Sequence, residues 1–173
     1  MQNNVNKFRK RLSVALALGL LTGVLLISYI SLRRIIGRPR ETPAAQVTRL
    51  QDARTVLFEQ LGGYAVTIPS TDGVTLAGVV VERPHAKGTV ILCHGFRGDK
   101  ERMVRFLPLF TQYNLVLFDF RSSGESSGDY SSIGCHEWQD VACVIEFVKQ
   151  HSTLRTVKHR IIFGTSMGAA AAI

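Results

Sequence analysis

Residues 160–172, RIIFGTSMGAAAA, decide how this chain is read. The apolar run Arg160–Phe163 has the character of a short buried strand, and the small residues after Gly168 suit a helix lying close to a sheet. Between them Gly164-Thr165-Ser166-Met167-Gly168 spells G-x-S-x-G, a strand-to-helix turn with a serine at its apex. Sterics explain the pattern. A serine that must project its hydroxyl above a sheet sits at a strained backbone position, and the residues two before and two after it approach so closely that only glycine fits. Ser166 is therefore a candidate nucleophile, and its hydroxyl needs a base to take its proton.

Upstream, the chain alternates. Tyr64–Pro69 and Val74–Glu82 are β-rich runs joined by Ser70-Thr71-Asp72-Gly73, a hairpin signal. Thr89–Cys93 (TVILC) and Leu115–Phe120 (LVLFDF) are continuous apolar runs of the kind found in strands buried on both faces. Residues 99–112 predict a helix. From Glu137 to Gln150, Trp138, Val141, Ala142, Ile145 and Val148 recur at helical steps. A hairpin followed by strand–helix alternation predicts an α/β domain over 63–173, with an antiparallel start, parallel strands and helices on both faces of the sheet. No internal repeat is present.

Two loops between these elements carry polar motifs. Cys93-His94-Gly95-Phe96-Arg97-Gly98 follows the third strand, where a loop beside the Ser166 turn can aim a backbone N–H at a developing oxyanion. Phe96 N–H is one expected donor and Met167 N–H the other. His94, leading a tight glycine turn, is expected to brace the loop rather than act as base. Asp119-Phe120-Arg121-Ser122-Ser123-Gly124-Glu125-Ser126-Ser127-Gly128 closes the fourth strand, with Asp119 and Arg121 expected to hold a glycine-rich loop by ion pairing. Neither G-x-G-x-x-G nor G-x-x-x-x-G-K-[ST] occurs, so no nucleotide cofactor is expected. Cys93, Cys135 and Cys143 lack metal-site spacing and an even partner count, which leaves them as small packing residues; no metal is expected.

The formal net charge of +8 first suggests a polyanionic partner. Residues 1–40, however, contain eight Lys/Arg and no acid, and residues 41–173 contain thirteen charges of each sign. The excess sits wholly at the N-terminus, which argues against a nucleic-acid-binding domain. It brackets the uncharged stretch 12–32, LSVALALGLLTGVLLISYISL, whose 21 residues would span roughly 30 Å as a helix. That run is longer than the ~7–15 apolar residues of a signal peptide and ends in Leu32-Arg33-Arg34 without a small-x-small site. The expected organisation is a basic tail (1–11), a single transmembrane anchor (12–32), a juxtamembrane linker with Pro39, Pro43 and a short amphipathic helix in 44–61 (together 33–62), and the α/β domain. Four basic residues stand on each side of the span, so the positive-inside comparison is balanced.

Strand, H-G loop, D-x-R-x-x-G-x-S loop and G-x-S-x-G turn occur in the order seen in the α/β-hydrolases, and residues 63–173 resemble that family, nearest its monoacylglycerol-lipase and serine-aminopeptidase branch. The resemblance implies a membrane-anchored serine hydrolase of esters, thioesters or amides, acting on a small-molecule or lipid-like acyl substrate without a cofactor. Ser166 would be the nucleophile, Phe96 and Met167 the oxyanion hole, and Gly164 and Gly168 the elbow glycines. This sequence departs from the family at Ser122, where glycine is usual, and at Thr165, where histidine is common. In the family the acid and the histidine follow the nucleophile in chain order. Here seven residues follow Ser166, and His85, His94, His136, His151 and His159 all precede it. The resemblance thus leads us to expect the first half of a longer hydrolase, inactive as this chain. The alternative is a non-catalytic, membrane-tethered interaction module.

Overall fold

The computed structural model describes residues 2–36 and 44–173. The linker prolines Pro39 and Pro43 lie outside the described residues. The chain divides into two units, Met1–Ile36 and Gly37–Ile173.

The first unit is helix α1, Gln2–Ile36. Its segment Val14–Ile35 has a mean hydropathy of 2.2 over 22 residues, long and apolar enough to cross a membrane. The side chains along it are exposed, Leu20 at 73 %. Thr22, the polar residue mid-span, turns its hydroxyl back onto Leu18 O and Gly19 O at 3.0 and 2.9 Å, which removes an unpaired donor from the apolar surface.

The second unit is built on a five-stranded sheet: β1 (Tyr64–Pro69), β2 (Thr75–Val81), β3 (Thr89–Cys93), β4 (Asn114–Phe118) and β5 (Arg160–Gly164). Their order across the sheet is β1-β2-β4-β3-β5. The β1–β2 hairpin and the β2–β4 pair are antiparallel, while β3 pairs in parallel with β4 and with β5. The antiparallel start and parallel continuation match the sequence reading.

Period-two alternation builds the layers. On β3, Ile91 and Cys93 face α3 (Glu137–Gln150), where Val141, Val144 and Val148 complete one core. Val90 and Leu92 face the opposite side, packing with Met103, Leu107 and Leu57 in a second core. Both central strands are buried along their whole length, as their unbroken apolar sequences require. Leu57 comes from the helix anticipated in 44–61, which forms α2 (Ala44–Arg54) and runs on as a π-helical turn over Thr55–Gln60. With Leu57 fully buried under the sheet, this helix packs in the same unit as the strands.

Two elements differ from expectation. Residues Lys100–Phe110 form a 3-10 helix rather than an α-helix. Pro108 within it lacks an N–H and disfavours the α conformation at the residue before it. Strand β4 ends at Phe118, two residues early, because the Phe120 N–H is taken by the His94 side chain rather than by a strand. Helix α4 spans Met167–Ala170. Strand β5 stands at the sheet margin, with Ile161 37 % exposed.

Candidate active site

Ser166 joins β5 to α4 with φ 51° and ψ −122°. This left-handed conformation costs an L-residue of order 1–3 kcal/mol and persists only where its surroundings enforce it. The surroundings do. A Cβ at Gly164 would lie 2.5 Å from Ala169 N and Gly168 O, and one at Gly168 would lie 2.5 Å from Cys93 O and closer still to His94 O. Backbone therefore fills the space on both sides of the serine, and Thr165 N–H donates to Cys93 O at 3.1 Å to fasten the turn to β3. Ser166 is exposed at the apex.

The H-G loop lies directly against it. A Cβ at Gly95 would stand 3.3 Å from Ser166 Cβ. Gly98 N–H donates to Gly95 O at 2.9 Å, closing a tight turn in which Arg97 takes φ 57°. A cavity of about 220 Å³ opens between this loop and the serine, with Phe96, Met103, Arg102 and Arg105 in its wall. Among the described residues the backbone N–H groups of Phe96 and Met167 donate to no protein acceptor. Two main-chain donors thus remain free beside an exposed serine hydroxyl.

His94 is not placed to serve that hydroxyl. Its Nε2 accepts from Phe120 N–H at 3.0 Å, which puts the ring proton on Nδ1, 2.7 Å from Gly95 O. Burial holds the imidazole below its ordinary pKa and keeps it neutral. The ring also packs edge-on against Phe120, 5.1 Å between centroids. It braces two loops. Among the described residues Ser166 Oγ has no hydrogen-bond partner. His151 faces the Tyr64 hydroxyl at 3.0 Å, and His136 stands at the N-terminus of α3.

The glycine-rich loop after β4 is held by buried charges. Asp119 accepts from Lys100 N at 2.7 Å, Lys100 Nζ at 2.8 Å and Glu125 N at 2.9 Å. Its carboxylate lies where a Cβ at Gly124 would be, and Gly124 has φ 47°. Lys100 Nζ also reaches Glu125 at 2.8 Å and Glu101 at 3.2 Å. Burial pushes the Glu101 carboxyl up, against the pull of Lys100. Arg121 pairs with buried Asp140 at 2.7 Å and with Asp72 at 2.8 Å. Both Asp119 and Arg121 therefore hold the loop.

On the other side, Glu137 at the start of α3 accepts from Ser131 Oγ, Ser132 N, Ser132 Oγ and Gly134 N between 2.6 and 2.8 Å. Burial opposes its charge, but these donors outweigh it and hold the carboxyl below the ordinary glutamate value. Ser131 Oγ lies 3.7 Å from Met167 Sδ, so this turn sits beside the elbow. Cys93 is buried and its thiol is pushed up to about 12 by burial, an unreactive packing residue. Among the described residues no cluster of three or more His, Cys, Asp or Glu is arranged to hold a metal ion.

Sequence reasoning missed Lys100 and Asp140 as the partners that fix the loop after β4, because pairings formed across the fold leave no local spacing signal, and it missed Glu137 although its serine and glycine partners lie three to six residues before it. It also passed over Arg102 and Arg105, which line the cavity from the 3-10 helix.

The strand order, the elbow and comparison with known structures together give this chain an α/β-hydrolase fold. No protein-family model matches it. The esterase Pf2001 of Pyrococcus furiosus superposes with a TM-score of 0.62 at 26 % identity, over 80 % of this chain and 49 % of the esterase. In another crystal form of that esterase the identity is 30 % and the TM-score 0.59, over 66 % and 47 % of the two chains. A bacterial membrane phospholipase A shares the fold with a TM-score of 0.52 at 24 % identity, over 86 % of this chain and 44 % of its own. In sequence, the uncharacterized protein YqkD of Bacillus subtilis (strain 168) is 29 % identical over 166 residues, 92 % of this chain and 54 % of YqkD. The chain spans about half the length of the relatives it matches.

Proposed function

We propose that this chain carries the nucleophile and oxyanion hole of a membrane-anchored serine hydrolase acting through an acyl-enzyme. The observation that carries the reading is the strained Ser166, exposed at φ 51° beside the free N–H groups of Phe96 and Met167. Ser166 Oγ attacks the carbonyl carbon of an ester, thioester or amide while a general base takes its proton. The carbonyl oxygen gathers negative charge and receives hydrogen bonds from the two main-chain donors. Collapse expels the alcohol, thiol or amine, which leaves with the proton, and water then hydrolyses the acyl-serine. The Pyrococcus furiosus esterase supports ester chemistry. The order of the loop motifs supports the monoacylglycerol-lipase and serine-aminopeptidase branch. The exposed apolar helix Val14–Ile35 supports a single-pass membrane location.

A second reading, a non-catalytic tethered module, is favoured by one fact: among the described residues no base stands at Ser166. The 173 residues alone are accordingly expected to hydrolyse no faster than their Ser166→Ala variant, since loss of the base costs several orders of magnitude. The test is fluorophosphonate labelling of the protein expressed from its own gene. Labelling that Ser166→Ala abolishes supports the hydrolase. Labelling that survives the substitution removes Ser166 as nucleophile, and no labelling of either form favours the module.

A further inference from the structure

The wall of the Ser166 cavity is charged in one sense only. Arg102 and Arg105, one turn apart on the 3-10 helix Lys100–Phe110, both line it, and no carboxylate does. Among the described residues no acid pairs with Arg105; its guanidinium rests on the face of Phe106, 4.7 Å from the ring centroid. Arg102 Nε stands 3.7 Å from Asp99 Oδ2, but that carboxylate is already held by both terminal nitrogens of Arg49, at 3.2 and 3.0 Å. One aspartate therefore serves two arginines. The same Arg102 and Arg105 also line a second cavity of about 570 Å³, whose apolar lining residues are Ala53, Val56 and Val104. Its acids are Asp52, which does not line the Ser166 cavity, and Glu101, which is tied to Lys100 and Arg54. Arg102 and Arg105 thus stand in the walls of two cavities, one holding Ser166 and the other the apolar side chains of Ala53, Val56 and Val104.

We infer that the Ser166 site takes an acyl substrate bearing an anionic group, a phosphate or carboxylate, which Arg105 and Arg102 hold while an apolar portion lies along Ala53, Val56 and Val104. This rests on the reading of Ser166 as nucleophile and adds the substrate class to it. Guanidinium groups suit planar or tetrahedral oxyanions because they offer several donors in a fixed fork. An unpaired arginine at a cavity mouth also raises the local concentration of anions. A neutral ester would leave Arg105 without a counter-charge, and Arg102 with only its share of Asp99, as it excluded water from the cavity.

The experiment needs no turnover. In the full chain, held in phosphatidylcholine nanodiscs, Ser166→Cys places a thiol at the apex. That thiol is alkylated in parallel by iodoacetate, which is anionic, and by iodoacetamide, which is neutral. In each case the thiolate forms a C–S bond as iodide leaves. Peptide mass spectrometry separates position 166 from exposed Cys135, the internal reference. Arginine also lowers the thiol pKa, but this accelerates both reagents, so their rate ratio isolates recognition of the anion. Arg105→Gln should lower the iodoacetate-to-iodoacetamide ratio at position 166 roughly fivefold. The Arg102→Gln, Arg105→Gln pair should lower it further, Arg105→Lys should keep most of it, and the ratio at Cys135 should not move. A ratio at position 166 that stays within about twofold in the double variant overturns the inference.

Two protection arms separate the sources of the anion. Hexyl phosphate in solution slows iodoacetate at position 166 if the substrate is a soluble ester. Phosphatidylglycerol in the nanodisc does so if it is a lipid. Protection by neither overturns the inference. Survival of fluorophosphonate labelling in Ser166→Ala would instead sink the hydrolase reading and leave the alkylation ratio untouched, so the two failures are distinguishable.

Discussion

Replacing Lys100 by methionine keeps most of the side-chain volume and deletes one buried ammonium. That ammonium lies 2.8 Å from Asp119, 2.8 Å from Glu125 and 3.2 Å from Glu101. Asp119 is fully buried, so it cannot recover its lost partner from water. Removing one member of such a pair costs about 3–5 kcal/mol. The backbone N–H groups of Lys100 and Glu125 still reach the Asp119 carboxylate in the variant, which places the loss near the lower bound, about 3 kcal/mol. With a urea slope of roughly 2 kcal/mol per molar, the unfolding midpoint of the chain in detergent should fall by about 1.5 M at pH 7.5. Asp119→Asn in the Lys100→Met background should cost much less than it does in the wild type, giving a coupling above about 1 kcal/mol in a double-mutant cycle. The deficit should also shrink on acidification. Glu101 has a folded-state pKa raised by burial, so it takes up a proton early as pH falls and relieves the negative charge that Lys100 no longer balances. A loss below about 1 kcal/mol, or strictly additive single substitutions, would refute this account of the loop.

Three further outcomes follow from the same geometry. Gly168→Ala pushes a methyl group into Cys93 O and His94 O, backbone atoms with little room to move, and should destabilise the chain by about 2–3 kcal/mol in thermal unfolding and abolish fluorophosphonate labelling of the protein expressed from its own gene. Ser122→Gly relieves a left-handed residue at φ 58° and should stabilise by about 0.5–1 kcal/mol, a gain readable as a higher urea midpoint. Glu137→Gln weakens four hydrogen bonds and should cost about 2 kcal/mol near neutral pH. Because the folded-state pKa of Glu137 is lowered, its contribution is present above the ordinary glutamate value of about 4.3 and disappears as pH falls through the lowered one. The gap between wild type and variant should therefore be level from about pH 6 to 8 and close below about pH 4.

Much of the sheet could be read from patterning alone. TVILC and LVLFDF are too apolar to have a wet face, and the structure buries every residue of β3 and β4. The hairpin was marked by Asp72-Gly73, and Gly73 has φ 85°. The boundaries that moved did so for reasons that spacing does not carry. Phe120 leaves the strand because a histidine 26 residues upstream accepts its N–H. The helix expected over 99–112 tightens to 3-10 around Pro108. At the site, the short-range rules worked best: glycine at 164 and 168, and a strained serine between them, follow from sterics within five residues. The braces around it did not show. Asp119 meets Lys100, and Arg121 meets Asp140 and Asp72, across separations of 19 to 49 residues, where only the fold creates the pairing. The departure at Ser122 has a physical signature, since the chain keeps the left-handed conformation that glycine would take more readily.

The most direct measurement is a crystal structure of the protein expressed from its own gene after reaction with a fluorophosphonate. The account predicts a covalent phosphonate on Ser166 Oγ, with its phosphoryl oxygen about 2.7–3.1 Å from the backbone nitrogens of both Phe96 and Met167. An adduct on another side chain, or a phosphoryl oxygen turned away from those two nitrogens, would contradict it.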